Sequence, residues 1–458
     1  MDYLDRVAEF AAHTPVGAVP PEVLDKTALI LADSLGAIAG GMAEPEMQAL
    51  VAGLEGAGPA VVIGTARHVP PGQAALVNGT AGTTLEMDEG SQFAKGHPGM
   101  HTIPAALAFS GAEVLRGRAV AGSELLTAIA LGYEVGARVG MACALRPSLH
   151  PHGTWGAICA AVAVARLAGR DAGQMRHAIN MAASFALAPS RRTMLEGGTV
   201  RNALAGVSGQ LGLVVHDLLG AGFEGDRDGL AQVFGRSLAD GFAPTAMTED
   251  LGSRWEVMRN YFKLHACCRF NHATLDALAQ IVAREGRLDP AAVAGVEVQS
   301  YAFAAELDDP APRNMLAARF SVPFAVATAL VTGRTDIDSF TAARLADPRI
   351  RGLAERVRVI EDPAMTAALP DRRPANVVLT MADGRRLEAG TATNRGDWAD
   401  PYGVAELREK FLSLATRVWP TGRSAALWEA TLALPGQAAL GPWLEALSAP
   451  VPAEAGAD

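Results

Sequence analysis

The ten histidines of this 458-residue chain are spread unevenly. Six fall into three pairs: His97 and His101 in "GHPGMHTIPAALAF", His150 and His152 in "SLHPHGTWG", His265 and His272 in "KLHACCRFNH". Imidazole titrates near neutrality, so such pairs suit acid–base catalysis, metal ligation or backbone capping. Asp88, Glu89 and Lys95 stand near the first pair, Lys263 and Arg269 near the third, and Arg191, Arg192 and Arg201 flank "LEGGTV". His97 and His101 sit where a helix should begin, although helices ordinarily start on Ser, Thr, Asp or Asn. Taken singly, each feature also fits an ordinary role: a histidine bonding backbone, Cys267 and Cys268 as small buried side chains, arginines in solvent. No HExxH and no carboxylate–histidine spacing marks a metal-ligand set, and no GxGxxG, P-loop or GxSxG is present. The sequence therefore implies neither metal nor organic cofactor.

The elements that must position these groups are mostly helical up to residue 262. Segments 21–40, 72–87, 103–115, 121–142, 154–168, 173–187 and 202–221 have helical length, and several are apolar on nearly every side, as central helices of a large bundle are. From about residue 285 the pattern alternates. "VAGVEVQSYAF" and "ERVRVIED" predict strands, and "ANVVLTMADGRRLEAGT" predicts a hairpin turning at Asp383-Gly384. Helical stretches are expected at 322–332 and 338–346. Helical texture returns near 396, through "PYGVAELREKFLSLATRVW" and 422–447. The tail "PVPAEAGAD" is expected to be unstructured.

Half the residues are hydrophobic and 19% charged, so the chain is globular. A net charge of −10 disfavours nucleic acid, which needs a basic face, but leaves room for a local basic pocket and a small anion. The four cysteines form no disulfide framework and no CxxC. The start, "MDYLDRVAEF", lacks a basic n-region and an apolar h-region, and apolar runs such as 156–168 are too short for a bilayer. The expectation is a cytoplasmic protein with no membrane span.

Eight stretches, in order, resemble the MmgE/PrpD superfamily of 2-methylcitrate dehydratases, cis-aconitate decarboxylases and iminodisuccinate epimerases. They are "ILADSLGAIAGG", "AALVNGTAGTTLEMDEG", "GHPGMHTIPAALA", "LGYEVGARVG", "LHPHGTWGAICAA", "VRNALAGVSGQLGLVVHDLLGAGFEG", "KLHACCRFNHATLDAL" and "ARFSVPFAVATALVTG", with "REKF" after them. The resemblance implies a mainly α fold: an all-helical domain built from both chain ends, 1–262 and 398–458, and a smaller inserted α+β lid, 263–397. It implies a cofactor-free homodimer whose cleft takes a small anionic di- or tricarboxylate. By position it assigns Asp88, His97, His150 and Lys263 to catalysis, and Arg201, Lys95, Cys268, Arg269 and His272 to substrate.

Those residue types suit proton transfer at carbon beside a carboxylate. Cations hold the carboxylates, a base near neutrality takes the proton, and donors meet the developing oxyanion. A lysine lowered by neighbouring cations could serve as base or acid. The sequence departs from the family pattern at several points. Arg201 replaces a common Lys, which points to a carboxylate clamp because Arg does not release its proton. Thr84 stands where His is common, His265 replaces Tyr, Lys95 is an added cation, and Cys268 occupies the place of a His in the decarboxylase branch. The reading is thus a lyase or isomerase, dehydratase-like or epimerase-like, ahead of a decarboxylase. A non-catalytic helical interaction protein and a metal hydrolase are the rivals from other classes.

Overall fold

The computed structural model describes residues 1–448, so the tail expected to be unstructured lies outside the described residues, as does the end of the 398–458 segment. The chain is mainly α-helical. Proline at the first helical position sets several starts, in the helices Pro21–Met42, Pro71–Thr84 and Pro98–Leu115. The last begins five residues before the expected 103, because Pro98 opens it. The helices Gly122–Ala142 and Gly156–Leu167 are buried almost all round. Small residues let helices touch backbone to backbone: a Cβ at Gly79 would meet the Gly206 Cα at 2.6 Å, so Pro71–Thr84 and Ala203–Gly220 cross in contact.

Two helices, Gly122–Ala142 and Thr199–Gly220, are long and apolar enough to cross a bilayer by length and composition, which the shorter runs read from the sequence did not suggest. The apolar window is 94% buried within the protein in the first, a core helix, and 44% in the second.

Buried apolar side chains form two clusters. The larger draws on residues from Leu4 to Phe262 and again from Tyr402 to Leu447. The smaller draws mainly on residues from Ala266 to Leu387, with Leu85, Met87, Met194 and Leu414 reaching into it. Within the second lies a four-stranded sheet, ordered Val357–Glu361, Val293–Ser300, Ala375–Met381, Arg386–Thr391. The first pair is parallel and the others antiparallel. The expected hairpin turns at Gly384, whose φ of +86° is open to glycine at no steric cost. The helix expected over 338–346 is instead split into a 3-10 turn, Ile337–Ser339, and a short helix, Ala342–Leu345. Thr341 causes the break, because its side chain accepts from the Arg344 N–H and restarts the helix. The chain passes between the clusters side by side, with the Phe262 amide donating to the Gly396 carbonyl at 2.9 Å.

Candidate active site

His97 occupies the N-cap of the helix Pro98–Leu115 but makes no side-chain cap bond. Glu89 caps that helix instead: its Oε1 accepts from the Gly99 N–H at 2.8 Å, and its Oε2 accepts from the Tyr133 hydroxyl at 3.1 Å. Burial pushes the Glu89 carboxyl up to about 8, with Asp33 and Asp88 adding to the shift. The imidazole of His97 is thereby left for other work. Its Nδ1 lies 2.7 Å from the Glu89 carbonyl oxygen and 3.0 Å from Asp88 Oδ2. A carbonyl only accepts, so Nδ1 carries the proton, and Nε2 is the ring nitrogen without a partner among the described residues.

Asp88 is fully buried. Burial alone would raise its carboxyl, but the His97 Nδ1–H and the Lys263 ammonium facing it outweigh that and hold it far below the usual range. Lys263 Nζ lies 3.4 Å from Asp88 Oδ1 and 3.3 Å from Glu86 Oε2, and Arg201 pairs with Glu86 Oε1. This corrects the expectation of a lysine lowered by cations. Burial does act downward on Lys263, but Asp88 and Glu86 prevail and raise it well above its ordinary value. Lys263 is therefore a fixed ammonium and not a base.

The close crossing at Gly79 and Gly206 brings Glu86 and Arg201 together, and Thr83 Oγ1 donates to the Asn202 carbonyl at 2.7 Å. From the C-terminal side, Lys410 Nζ lies 2.6 Å from both Asp33 Oδ1 and the Met87 carbonyl oxygen, which holds the middle of the acidic turn. Glu86 and Lys95, at either end of this loop, have left-handed backbones with φ of +54° and +61°.

His150 is set by backbone bonds, its amide donating to the Pro189 carbonyl at 2.9 Å. His152, which the sequence reading did not place in the site, has its ring centre 5.3 Å from His97, 4.8 Å from His101 and 5.8 Å from His150. Burial, then neighbouring positive groups, pushes His101 down to about 3 and holds His150 and His152 well below the ordinary imidazole value. These three rings are neutral at pH 7. Among the described residues no three His, Cys, Asp or Glu side chains are grouped to hold a metal ion.

His97, His150, Arg201, Lys263, Cys268 and Arg269 line one cavity of about 70 Å³, and Asp88 supports His97 from behind its wall. Lys95 reaches only its rim, because its ammonium donates to the Gly140 and Cys143 carbonyls at 3.3 and 3.1 Å, the end of the helix Gly122–Ala142. His272 does not line the cavity. Its Nε2 faces the Cys267 carbonyl oxygen at 3.2 Å and its ring abuts His265, so the expected substrate contact is replaced by a structural one. Burial pushes the Cys268 thiol up to about 11, which makes it a poor nucleophile. Arg373, Tyr261, Phe270, Phe320 and Met194 also line the cavity and were not identified from the sequence. Arg373 is the second of two adjacent arginines in "PDRRPAN", with no spacing to mark it; only the fold brings it here. A larger cavity, about 550 Å³ and lined by Thr84, Asn202, Arg319 and Arg417, contains none of the histidines.

Residues 5–244 match the MmgE/PrpD N-terminal domain and residues 265–434 the MmgE/PrpD C-terminal domain. The chain is similar to a cis-aconitate decarboxylase of Aspergillus terreus, 23% identical over 97% of this chain and 96% of that protein. It is similar to a cis-aconitate decarboxylase-like protein of Aspergillus oryzae, 26% identical over 91% of each. The cis-aconitate decarboxylase of Homo sapiens is 26% identical over 78% of this chain and 76% of its own length. The resemblance read from eight short stretches thus holds across both halves of the sequence, on either side of the crossing at Phe262, and the chain belongs to the MmgE/PrpD family.

Proposed function

We propose that the protein is a lyase or isomerase that moves a proton at carbon beside a carboxylate of a small di- or tricarboxylate. One observation carries this reading. Six cationic residues (Lys95, Arg191, Arg201, Lys263, Arg269 and Arg373) and one carboxylate, Glu86, line the cavity around the imidazole of His97, with Arg191 and Arg269 partly offset by Glu306 and Asp397 and the Lys95 ammonium turned to backbone carbonyls. Such a wall attracts a multiply charged anion. His97 Nε2 takes the proton from carbon while Asp88 stabilises the resulting imidazolium, and Lys263 and Arg201 meet the charge that develops on the carboxylate oxygens. His150, held neutral, serves as a second base or as an N–H donor.

In a dehydration the C–H electrons form the new double bond, and hydroxide leaves the adjacent carbon and is protonated to water. In an epimerisation the proton returns to the opposite face. Residues 263–397 act as the lid over this cleft, and the protein works as a homodimer without a metal or organic cofactor. The family relatives support a second reading, decarboxylation of a cis-aconitate-like acid. There a C–C bond breaks, CO₂ leaves with no electrons, and the carbanion is protonated. Cys268 stands where that branch has a His, which keeps this reading second.

Incubation with a panel of di- and tricarboxylates in D₂O, followed by proton NMR and CO₂ capture, tests both readings. The first expects exchange or water loss and the second CO₂ release. No exchange and no turnover with any member would overturn the proposal.

A further inference from the structure

Two guanidinium groups at one part of the cavity are poorly compensated. Arg269 is 3% exposed and Arg373 7%. Both converge on Gln92: Arg269 Nη2 donates to its side-chain Oε1 at 3.3 Å, and Arg373 Nη2 donates to its backbone carbonyl at 3.4 Å. Asp397 pairs with Arg269, and among the described residues no carboxylate pairs with Arg373. Three N–H groups, Arg269 Nε and Nη1 and Arg373 Nε, are buried without partners, as is the Tyr301 hydroxyl. Buried donors of this kind are normally bonded, and a buried cation without a counter-charge is unfavourable. Aromatic rings complete the place. Tyr261 lies 4.3 Å below the Arg269 guanidinium, and Phe270 lies 5.4 Å below that of Arg373. The Tyr261 ring is also 6.4 Å from the His97 ring, so it spaces this pair from the base.

We infer that Arg269 and Arg373 form a second carboxylate subsite, which holds the substrate carboxylate remote from the carbon that His97 deprotonates. The inference rests on the carboxylate reading above and refines it: the substrate carries at least two carboxylates, one by Lys263 and Arg201 and one here. The free N–H groups, Nε and Nη1 of Arg269 and Nε of Arg373, with the two positive charges, fit one carboxylate shared between the two side chains. Both arginines belong to the 263–397 segment while His97, His150 and Arg201 do not. A bound diacid therefore bridges the two parts of the molecule.

Calorimetric titration of the full-length protein with succinate, its monomethyl ester and citrate provides the test. The wild type should favour succinate over the monoester. Arg373→Met should weaken succinate and citrate by about 10- to 100-fold, the usual range for a charge-assisted hydrogen bond, and should erase the preference over the monoester. Arg373→Lys should recover part of the loss. Folding should survive the change, because no carboxylate loses its partner, and a thermal melt within a few degrees of wild type is the control. If Arg373→Met binds succinate as the wild type does, or loses succinate and monoester equally, the subsite is wrong and the proposed function stands. If the wild type binds no di- or tricarboxylate, both fail.

Discussion

Asp88 and His97 form a buried dyad, Oδ2 to Nδ1 at 3.0 Å, in which the Glu89 carbonyl fixes the ring tautomer. Asp88→Asn preserves the shape but removes the charge that stabilises the imidazolium. Turnover of a substrate found in the D₂O panel should fall by roughly 10²- to 10⁴-fold, with KM changed much less. A wild-type rate in this variant would take the dyad out of the mechanism.

Lys263 neutralises two buried carboxylates at once. Lys263→Met takes one buried counter-charge from both Glu86 and Asp88, leaving them Arg201 and His97, and breaking a buried pair in this way costs about 3–5 kcal/mol. A clear drop in Tm should accompany loss of activity. Because Lys263 is held charged, the wild-type pH–rate profile should have no basic limb from it between pH 7 and 10. A limb in that range that disappears in Lys263→Arg would contradict the fixed-ammonium role.

Arg201 is anchored by Glu86. Arg201→Lys should mainly raise KM, since a point charge replaces a fork already committed on one side. Raised turnover with unchanged KM would show that a proton donor is wanted here. A change in Tm with normal kinetics would mark Arg201 as purely structural.

The buried histidines should weaken the fold in mild acid. His101, His150, His152 and His272 are neutral in the fold, their values depressed by burial, whereas the unfolded chain takes up protons below about pH 6.5. Below that pH the unfolded state binds more protons, so the contribution present above about 6.5 is lost progressively toward the depressed folded values. Each ring adds at most about 1.4 kcal/mol per pH unit to the slope. Glu89 and Glu134, whose carboxyls burial pushes up to about 8 and about 7, act in the opposite direction over the same range, so the histidine contribution is read by difference: in urea melts from pH 7.5 to 5.5, His152→Gln should lose less stability toward acid than the wild type, by up to one proton in slope. Equal slopes in the two proteins would exclude His152 from the set.

Much of this was legible in the sequence because it lies in local pattern. Pro98 after His97, the apolar runs of the central helices and Asp383-Gly384 between alternating stretches each act through backbone geometry within a few residues. What was not legible is set by distant partners. The charge on Lys263 depends on Glu86 and Asp88, some 175 positions earlier. Arg373 meets Gln92 across 281 positions, and His272 reads as a site residue until its ring is seen against the Cys267 carbonyl. The paired strands Cys143–Leu145 and Ala239–Phe242 are too short to leave a periodicity.

The left-handed backbones of Glu86 and Lys95 set local comfort against chemistry. A glycine adopts such angles freely, while a side chain there gives up on the order of 1–2 kcal/mol. At Glu86 the gain from glycine is outweighed, since Arg201 and Lys263 would lose a buried counter-charge. At Lys95 only two carbonyl contacts oppose it. A selection for heat resistance alone would therefore drift toward Lys95→Gly and thin the positive rim without touching His97. Thermal hardiness and anion capture are separable at that position, and improving the first there would erode the second.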